Sequence, residues 1–254
     1  MKIALLGYGR MGRVIESLAI AAGDEIVLKI DAANRETVTK ADLATADVAI
    51  EFSRPEAAVD NIKFALAAGV PVVVGTTGWL AQLSVVTALT QERGGAVFHA
   101  SNFSVGVNVF FAAAQQLGKL LAEFGGYSPE IEEIHHLQKL ESPSGTAITL
   151  AGRFAKESAD YSGWRLAGVT SPVPQQTIAP ATAPAANKIP VPIIAVRSAD
   201  VPGTHVLTLT SDVDTIELTH TAHSREGFAK GALVAARWII GKHGVFTMED
   251  LLKL

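Results

Sequence analysis

The chain has 254 residues, 48% of them hydrophobic and 18% charged, which suits one large or two modest well-buried domains and excludes a disordered chain. It contains no cysteine, which rules out disulfides, a thiol nucleophile and thiolate metal ligands, so any redox chemistry must come from a bound cofactor. A net charge of −4 argues against a nucleic-acid partner, and an anionic ligand would need positive charge gathered locally.

Residues 2–6 form an apolar run that predicts a strand rather than a secretory leader, and the chain is expected to be cytoplasmic. The turn Gly7-Tyr8-Gly9-Arg10-Met11-Gly12 follows, then helical spacing through Val14, Leu18 and Ala19. In that strand-turn-helix context the glycines permit a tight turn and close approach of a pyrophosphate to a helix N-terminus. A second strand, 25–30, ends in Asp31, 19 residues beyond Gly12, the spacing of an acid that accepts hydrogen bonds from an adenosine ribose. Asp31 favours NADH, while Arg10 and Arg35 are placed to meet a 2′-phosphate, so NADH, NADPH or both are expected.

From Asp47 the pattern alternates: strand 48–52, helix 55–68, strand 71–74, helix 80–92, strand 96–100. Near-continuous apolar strands alternating with helices predict a parallel sheet. Ligands of such sheets bind beyond the carboxyl ends of the strands, which selects the tips Phe52-Ser53-Arg54-Pro55, Gly75-Thr76-Thr77-Gly78 and Ser101-Asn102-Phe103-Ser104. The long uncharged window 64–91 is cut by Gly69, Pro71 and the 75–78 turn, so no membrane span is expected.

The alternation stops after Asn102. One long helix, 107–124, and a strand, 130–136, lead into His135-His136-Leu137-Gln138-Lys139-Leu140-Glu141-Ser142-Pro143-Ser144-Gly145-Thr146, with a helix over 147–159 behind it. Two imidazoles, an ammonium and a Ser-Gly-Thr turn thus sit on a strand-to-helix connection, with either Ser142 or Ser144 as the helix N-cap. The stretch 169–196 is rich in Pro and Ala, with Lys188 alone charged, and predicts an extended loop. Strands over 205–210 and 215–222 follow, joined by a hairpin at 212–214 and expected to extend the sheet begun at Glu130. A helix over 229–240 and the terminal segment are expected to return to the first domain. The whole reads as an α/β chain with a Rossmann-type parallel-sheet dinucleotide domain, 1–104 and 224–254. A smaller α+β domain with a mixed sheet, 105–223, serves substrate binding and oligomerisation.

The glycine turn, Gly75-Thr76-Thr77-Gly78, Asn102-Phe103-Ser104-Val105-Gly106-Val107-Asn108 and the 135–146 stretch together resemble the dihydrodipicolinate reductase family. The likeness runs from residue 2 to about 160 and from Gly203 onward. It departs at Glu141 and Ser142, where Asp and Ala are more usual. The resemblance implies reduction of a cyclic imine dicarboxylate by NADH or NADPH in the diaminopimelate route to lysine, without a metal, by a homotetramer. It implies His135 as proton donor, Lys139 as a second acid that also binds substrate, and His136, Ser144, Gly145 and Thr146 as the carboxylate-binding set. Gly7, Gly9, Arg10, Met11 and Gly12 would hold the pyrophosphate and Asp31 the ribose. Gly75, Thr77, Asn102 and Phe103 would lie at the nicotinamide, with Arg225 and Phe228 as weaker carry-overs. On the residues themselves, adjacent strand positions face opposite ways, so both histidines reach one substrate only if the strand has ended between them.

Overall fold

The computed structural model describes all residues except 178–183, 186, 200 and 225. The chain divides into two compact units, one comprising Met1–Val105 with Glu226–Leu254 and the other Gly106–Arg225.

In chain order the first unit contains β1 (Lys2–Leu6), α1 (Arg10–Ala21), β2 (Glu25–Ile30), α2 (Lys40–Leu43), β3 (Val48–Glu51), α3 (Pro55–Ala67), β4 (Val72–Val74), α4 (Leu83–Glu92) and β5 (Ala96–His99). A long helix, α5 (Val105–Ala122), opens the second unit, followed by β6 (Ser128–His135), β7 (Glu141–Ser142), α6 (Gly145–Glu157), β8 (Tyr161–Thr170), β9 (Gln176–Thr177), β10 (Ile189–Arg197), β11 (Gly203–Thr210) and β12 (Thr215–Ala222). The chain then returns to the first unit with α7 (Glu226–Ile239), β13 (Gly244–Phe246) and α8 (Met248–Leu252).

The first unit is a six-stranded parallel sheet in the order β13-β5-β4-β3-β1-β2. Its strands are Val- and Ile-rich and buried on both faces, and the two faces feed separate apolar clusters, as a helix-covered parallel sheet requires. The order reverses between β1 and β3, so the tips of these two strands diverge and open a crevice at their carboxyl ends. The short helix α2 has no apolar period to betray it; its signature is a capping box, with Thr39 and Asp42 satisfying each other's backbone amides.

The second unit has a mixed five-stranded sheet, β12-β11-β6-β10-β8, with β8, β10 and β6 parallel and β11 and β12 antiparallel. Its core places Ile131, Val191, Ile193, Leu207 and Leu209 from the sheet against Phe110 and Phe111 of α5 and Leu150 and Phe154 of α6. By length and composition α5 would pass as a membrane span, but its buried face, Val107, Phe110, Phe111, Ala114 and Gly118, belongs to this core.

The expected loop over 169–196 is overturned here. The end of β8, all of β9 and β10 up to Val196 lie inside it, and β10 is the second strand from the edge. Pro190 and Pro192 disguise it, because a proline has no N–H for a ladder. The register removes the conflict: β10 pairs with β8 from Ile189 onward but with β6 only from Ile193, so one side of the proline half has no strand to bond. Residues 178–183 and 186 of that stretch lie outside the described residues.

The packing of α7 in the first unit depends on a missing side chain. A Cβ at Gly231 would stand 1.7 Å from the Phe103 carbonyl oxygen, a backbone atom that cannot step aside. Gly231→Ala is expected to cost about 3 kcal/mol, measured as a lower midpoint in chemical denaturation with the signal of the first unit's tryptophans.

Candidate active site

In the first unit the strand tips build a cavity of about 540 Å³ lined by Gly7, Tyr8 and Gly9, by Asp31 and Arg35, and by Phe52 to Arg54. The glycines are needed for different reasons. Gly7 has φ of +100° and a Cβ there would meet the Phe52 carbonyl oxygen at 2.1 Å, while one at Gly12 would meet the Gly7 carbonyl oxygen at 2.5 Å. Gly9 has no neighbour within 4 Å of its missing Cβ and is the N-cap of α1, with no side-chain cap bond and no acidic residue in the first turn. The positive end of that helix, including Arg10 and Met11, is therefore available to an anion.

Asp31 closes β2, and its Oδ1 accepts from the Ala33 amide at 2.9 Å, which anchors the carboxylate on the cavity wall. Arg35 lies 3.9 Å from the Phe64 ring centre, and its Nε donates to Asn61 Oδ1 at 3.4 Å. Asn61 in turn donates to Glu51 and Ser53. Gly75 admits the Phe52 ring, which a Cβ would strike at 2.1 Å. Thr77 is exposed on the next tip, and Asn102 accepts from the Ser104 amide at 2.9 Å. Phe103, expected at the nicotinamide, is 2% exposed, and its ring is buried with Phe52 and Phe98, each 5.8 Å away. Arg225 lies outside the described residues.

Beneath this cavity Glu51 is fully buried, and burial raises its carboxyl above the ordinary value of 4.5 despite hydrogen bonds from Ser53, Thr76 and Asn61. A carboxyl raised on folding contributes its stability below pH 4.5 and loses it as the pH climbs through the folded value. Glu51→Gln should therefore raise the melting temperature at pH 7 and leave it unchanged near pH 3.5, as checked by thermal unfolding at the two pH values.

In the second unit the site is an extension of the core. Alternation along β6 sends Ile131, Glu133 and His135 to one face, β10 adds Ile193, Ala195 and Arg197, and β11 adds Gly203, His205 and Leu207. Register aligns Ile193 and Leu207 with Ile131, His205 with Glu133, and Arg197 with His135. One face thus passes from apolar to ionisable within a few residues.

Arg197 is 3% exposed and donates in every direction. Its Nη2 reaches Glu133 Oε1 at 2.9 Å, the Glu141 carbonyl at 2.6 Å and Ser142 Oγ at 2.8 Å. Its Nε reaches the Lys139 carbonyl at 3.0 Å and Gln175 Oε1 at 3.1 Å. The connection carrying Lys139 is thereby pinned to β10. Ser142, one of the two departures from the usual family pattern, spends its hydroxyl here, on Arg197 and Gln175.

Glu133 is also fully buried; its Oε1 additionally accepts from the Ser144 amide at 3.3 Å and its Oε2 contacts His135 Nδ1. Strand β6 ends at His135, so His136 is released from strand alternation, the condition for both imidazoles to serve one ligand. His136 lines a cavity of about 400 Å³ with Gln138, Pro202 and Ser224. Lys139 is partly buried, with its ammonium 3.9 Å from Glu141.

Of the two serines, Ser144 caps α6, its Oγ accepting from the Ala147 amide at 3.1 Å and contacting His205 Nε2 at 3.0 Å. Its hydroxyl is 2% exposed and committed inside the protein, so the anion-binding capacity of this turn rests on the first-turn amides at Gly145 and Thr146. Burial, and then the nearby His135, His220 and Lys139, push His205 down to about 3, so it stays neutral at working pH. Glu133, His135 and His205 bring donor atoms within 4.8 Å of one another, but the Arg197 guanidinium already supplies the cation there.

Glu133, Arg197 and His205 escape a search for basic clusters in sequence. Their signal is period two: each falls in register with the apolar residues of its own strand, where an ionisable side chain has no reason to be unless paired.

Residues 1–103 match the family model described as dihydrodipicolinate reductase, N-terminus, and residues 106–252 match the one described as dihydrodipicolinate reductase, C-terminus. The chain belongs to the dihydrodipicolinate reductase family. A 4-hydroxy-tetrahydrodipicolinate reductase of Christiangramia forsetii is 45% identical over 254 residues, covering 99% of this chain and 98% of the relative. One from Neisseria gonorrhoeae is 34% identical over 280 residues, covering 100% and 98%. A dipicolinate-bound dihydrodipicolinate reductase from Paenisporosarcina sp. TG-14 shares the fold with a TM-score of 0.75 at 21% identity, covering 97% of each chain. As a member of this family the chain is an NAD(P)H-dependent reductase.

Breaking the guanidinium hub tests its structural weight. Arg197→Met leaves Glu133 buried without its cation and is expected to cost about 3–5 kcal/mol, read by chemical denaturation. Arg197→Lys keeps the charge but not the fork and should cost less, while amide exchange at residues 139–142 accelerates.

Proposed function

We propose that this chain reduces 4-hydroxy-tetrahydrodipicolinate to tetrahydrodipicolinate in the diaminopimelate route to lysine, as a cytoplasmic homotetramer. The observation that carries the reading is the second unit's polar face: a buried, ion-paired carboxylate against His135 at the end of β6, with Lys139 and the start of α6 on the same connection. The first unit is the dinucleotide-binding domain and the second the substrate domain.

The first unit fits a dinucleotide on its own terms, with Gly7, Gly9, Arg10, Met11 and Gly12 facing the pyrophosphate and Asp31 the ribose diol. Gly75, Thr77, Asn102 and Phe103 are assigned to the nicotinamide end. Asp31 suits NADH, and Arg35, on the same cavity wall, suits the extra phosphate of NADPH, so both cofactors serve. The bound cofactor supplies the hydride.

The second unit supplies charge and a proton. A dicarboxylate needs fixed positive groups and N–H donors, provided by Lys139, His136 and the α6 amides at Gly145 and Thr146. Once hydride has added to the conjugated imine, the resulting enamine carbon takes up a proton. His135, an imidazole held by a carboxylate, donates it.

The test is the fall in cofactor absorbance when the purified chain is added to pyruvate, aspartate semialdehyde and the upstream synthase. We expect oxidation of both NADH and NADPH; no oxidation of either would remove the reading. His135→Gln should lower kcat by about 100-fold with KM little changed, and Lys139→Ala should impair both constants. An unaltered kcat in His135→Gln would disprove the proton-donor role.

A further inference from the structure

The proposed chemistry needs His135 to present one defined nitrogen, and the groups around its ring point to how that is arranged. Residues of four elements surround His135 by contact with its ring, its backbone or its ring's partner. From its own strand, Glu133 stands two positions earlier on the same face, with Oε2 on Nδ1. From β11, the His205 ring meets it edge-on, 5.1 Å between centres, and Gly203 lies beside Nε2, where a Cβ would come within 3.0 Å. From β10, the amide of Ser198 donates to the His135 carbonyl at 2.9 Å and Arg197 holds the far oxygen of Glu133. Lys139 follows on the connecting turn, whose amide donates to the His136 carbonyl at 3.0 Å.

We propose that Glu133 is the positioning residue of the proton donor: its Oε2 holds the Nδ1–H of His135, so that Nε2, on the side Gly203 keeps clear, is the nitrogen that delivers the proton. Arg197 makes the arrangement work. The guanidinium and the Ser144 amide both bond Oε1, which leaves Oε2 as the oxygen that accepts from the ring. His205 contributes by staying neutral, since a second imidazolium 5.1 Å away would oppose the charge on His135. In the transfer the Nε2–H bond breaks as the new C–H bond forms at the enamine carbon. The imidazole left behind keeps its proton on Nδ1 against Glu133, and Nε2 regains one from solvent.

The inference rests on the reading of His135 as proton donor, and its test separates the two. Histidine nitrogen NMR on the full-length native chain, without substrate and at a pH where His135 is neutral, should show the proton on Nδ1. A proton on Nε2 would overturn the proposal whatever the chain catalyses. In kinetics, Glu133→Gln keeps an acceptor but removes the charge. We expect kcat to fall by about 100-fold with KM within a few-fold. Glu133→Asp should recover part of kcat. A folded Glu133→Gln with an unaltered kcat would overturn the positioning role, and if that variant fails to fold, the native spectrum decides. An active His135→Gln alongside a Nδ1–H spectrum would instead remove the donor reading and leave the geometry standing.

Discussion

The buried ion pair of Arg197 and Glu133 is the interaction on which the second unit depends. A carboxylate and a guanidinium, both essentially without solvent, would be expensive as an isolated pair, because desolvation of two ions tends to outweigh their attraction. Here the remaining valences are used. Arg197 also donates to the carbonyls of Lys139 and Glu141, to Ser142 and to Gln175, while Glu133 accepts from Ser144 and His135. The pair therefore holds a turn that has little apolar surface of its own, and it holds that turn by its backbone, leaving the Lys139 side chain outside the network. Stability and site geometry are the same set of hydrogen bonds.

The first unit gathers positive potential differently. Its cavity contains Arg35 and Arg54, and beside Gly9 of its lining stands a helix end whose cap is that glycine and whose first turn has no acid. Positive potential arises from backbone dipoles, which suits a chain of net charge −4 that must bind anions. Glycine at position 7 is enforced by the Phe52 carbonyl and at position 12 by the Gly7 carbonyl, whereas Gly9 is enforced by nothing in the protein, as expected of a position that makes room for a ligand.

How far sequence reads this molecule follows from what kind of signal each part carries. The parallel sheet was legible because strands buried on both faces give continuous apolar runs, and the first glycine turn because its spacing is dictated by backbone contacts. Strand β10 was not, since Pro190 and Pro192 read as loop until the register shows that only one neighbour pairs there. The His-His and Lys cluster stands out by composition, yet the residues that hold it are scattered: Glu133, Arg197 and His205 lie on three strands and meet only through register. The Ser144 hydroxyl and the Phe103 ring show the opposite failure. Both sit in motifs that invite a ligand-binding role, and the fold spends the first on capping α6 and the second on the core.

The placement of His205 extends that logic. A histidine at a core position beside His135 would be a liability if it titrated, because two cations would compete for one carboxylate. Burial holds it neutral, and Ser144 gives its Nε2 a partner without exposing it to water. Ser144 in turn accepts from the Ala147 amide, so the first turn of α6 is tied through one hydroxyl to β11, just as Arg197 ties the preceding turn to β10. The helix start and the imidazole that neighbour each other in sequence are thus fixed by different strands of one sheet. A shift of either strand in register would separate the first-turn amides of α6 from His135, and the unbroken antiparallel ladder of β6 with β11 through Thr204 and His205 opposes that shift.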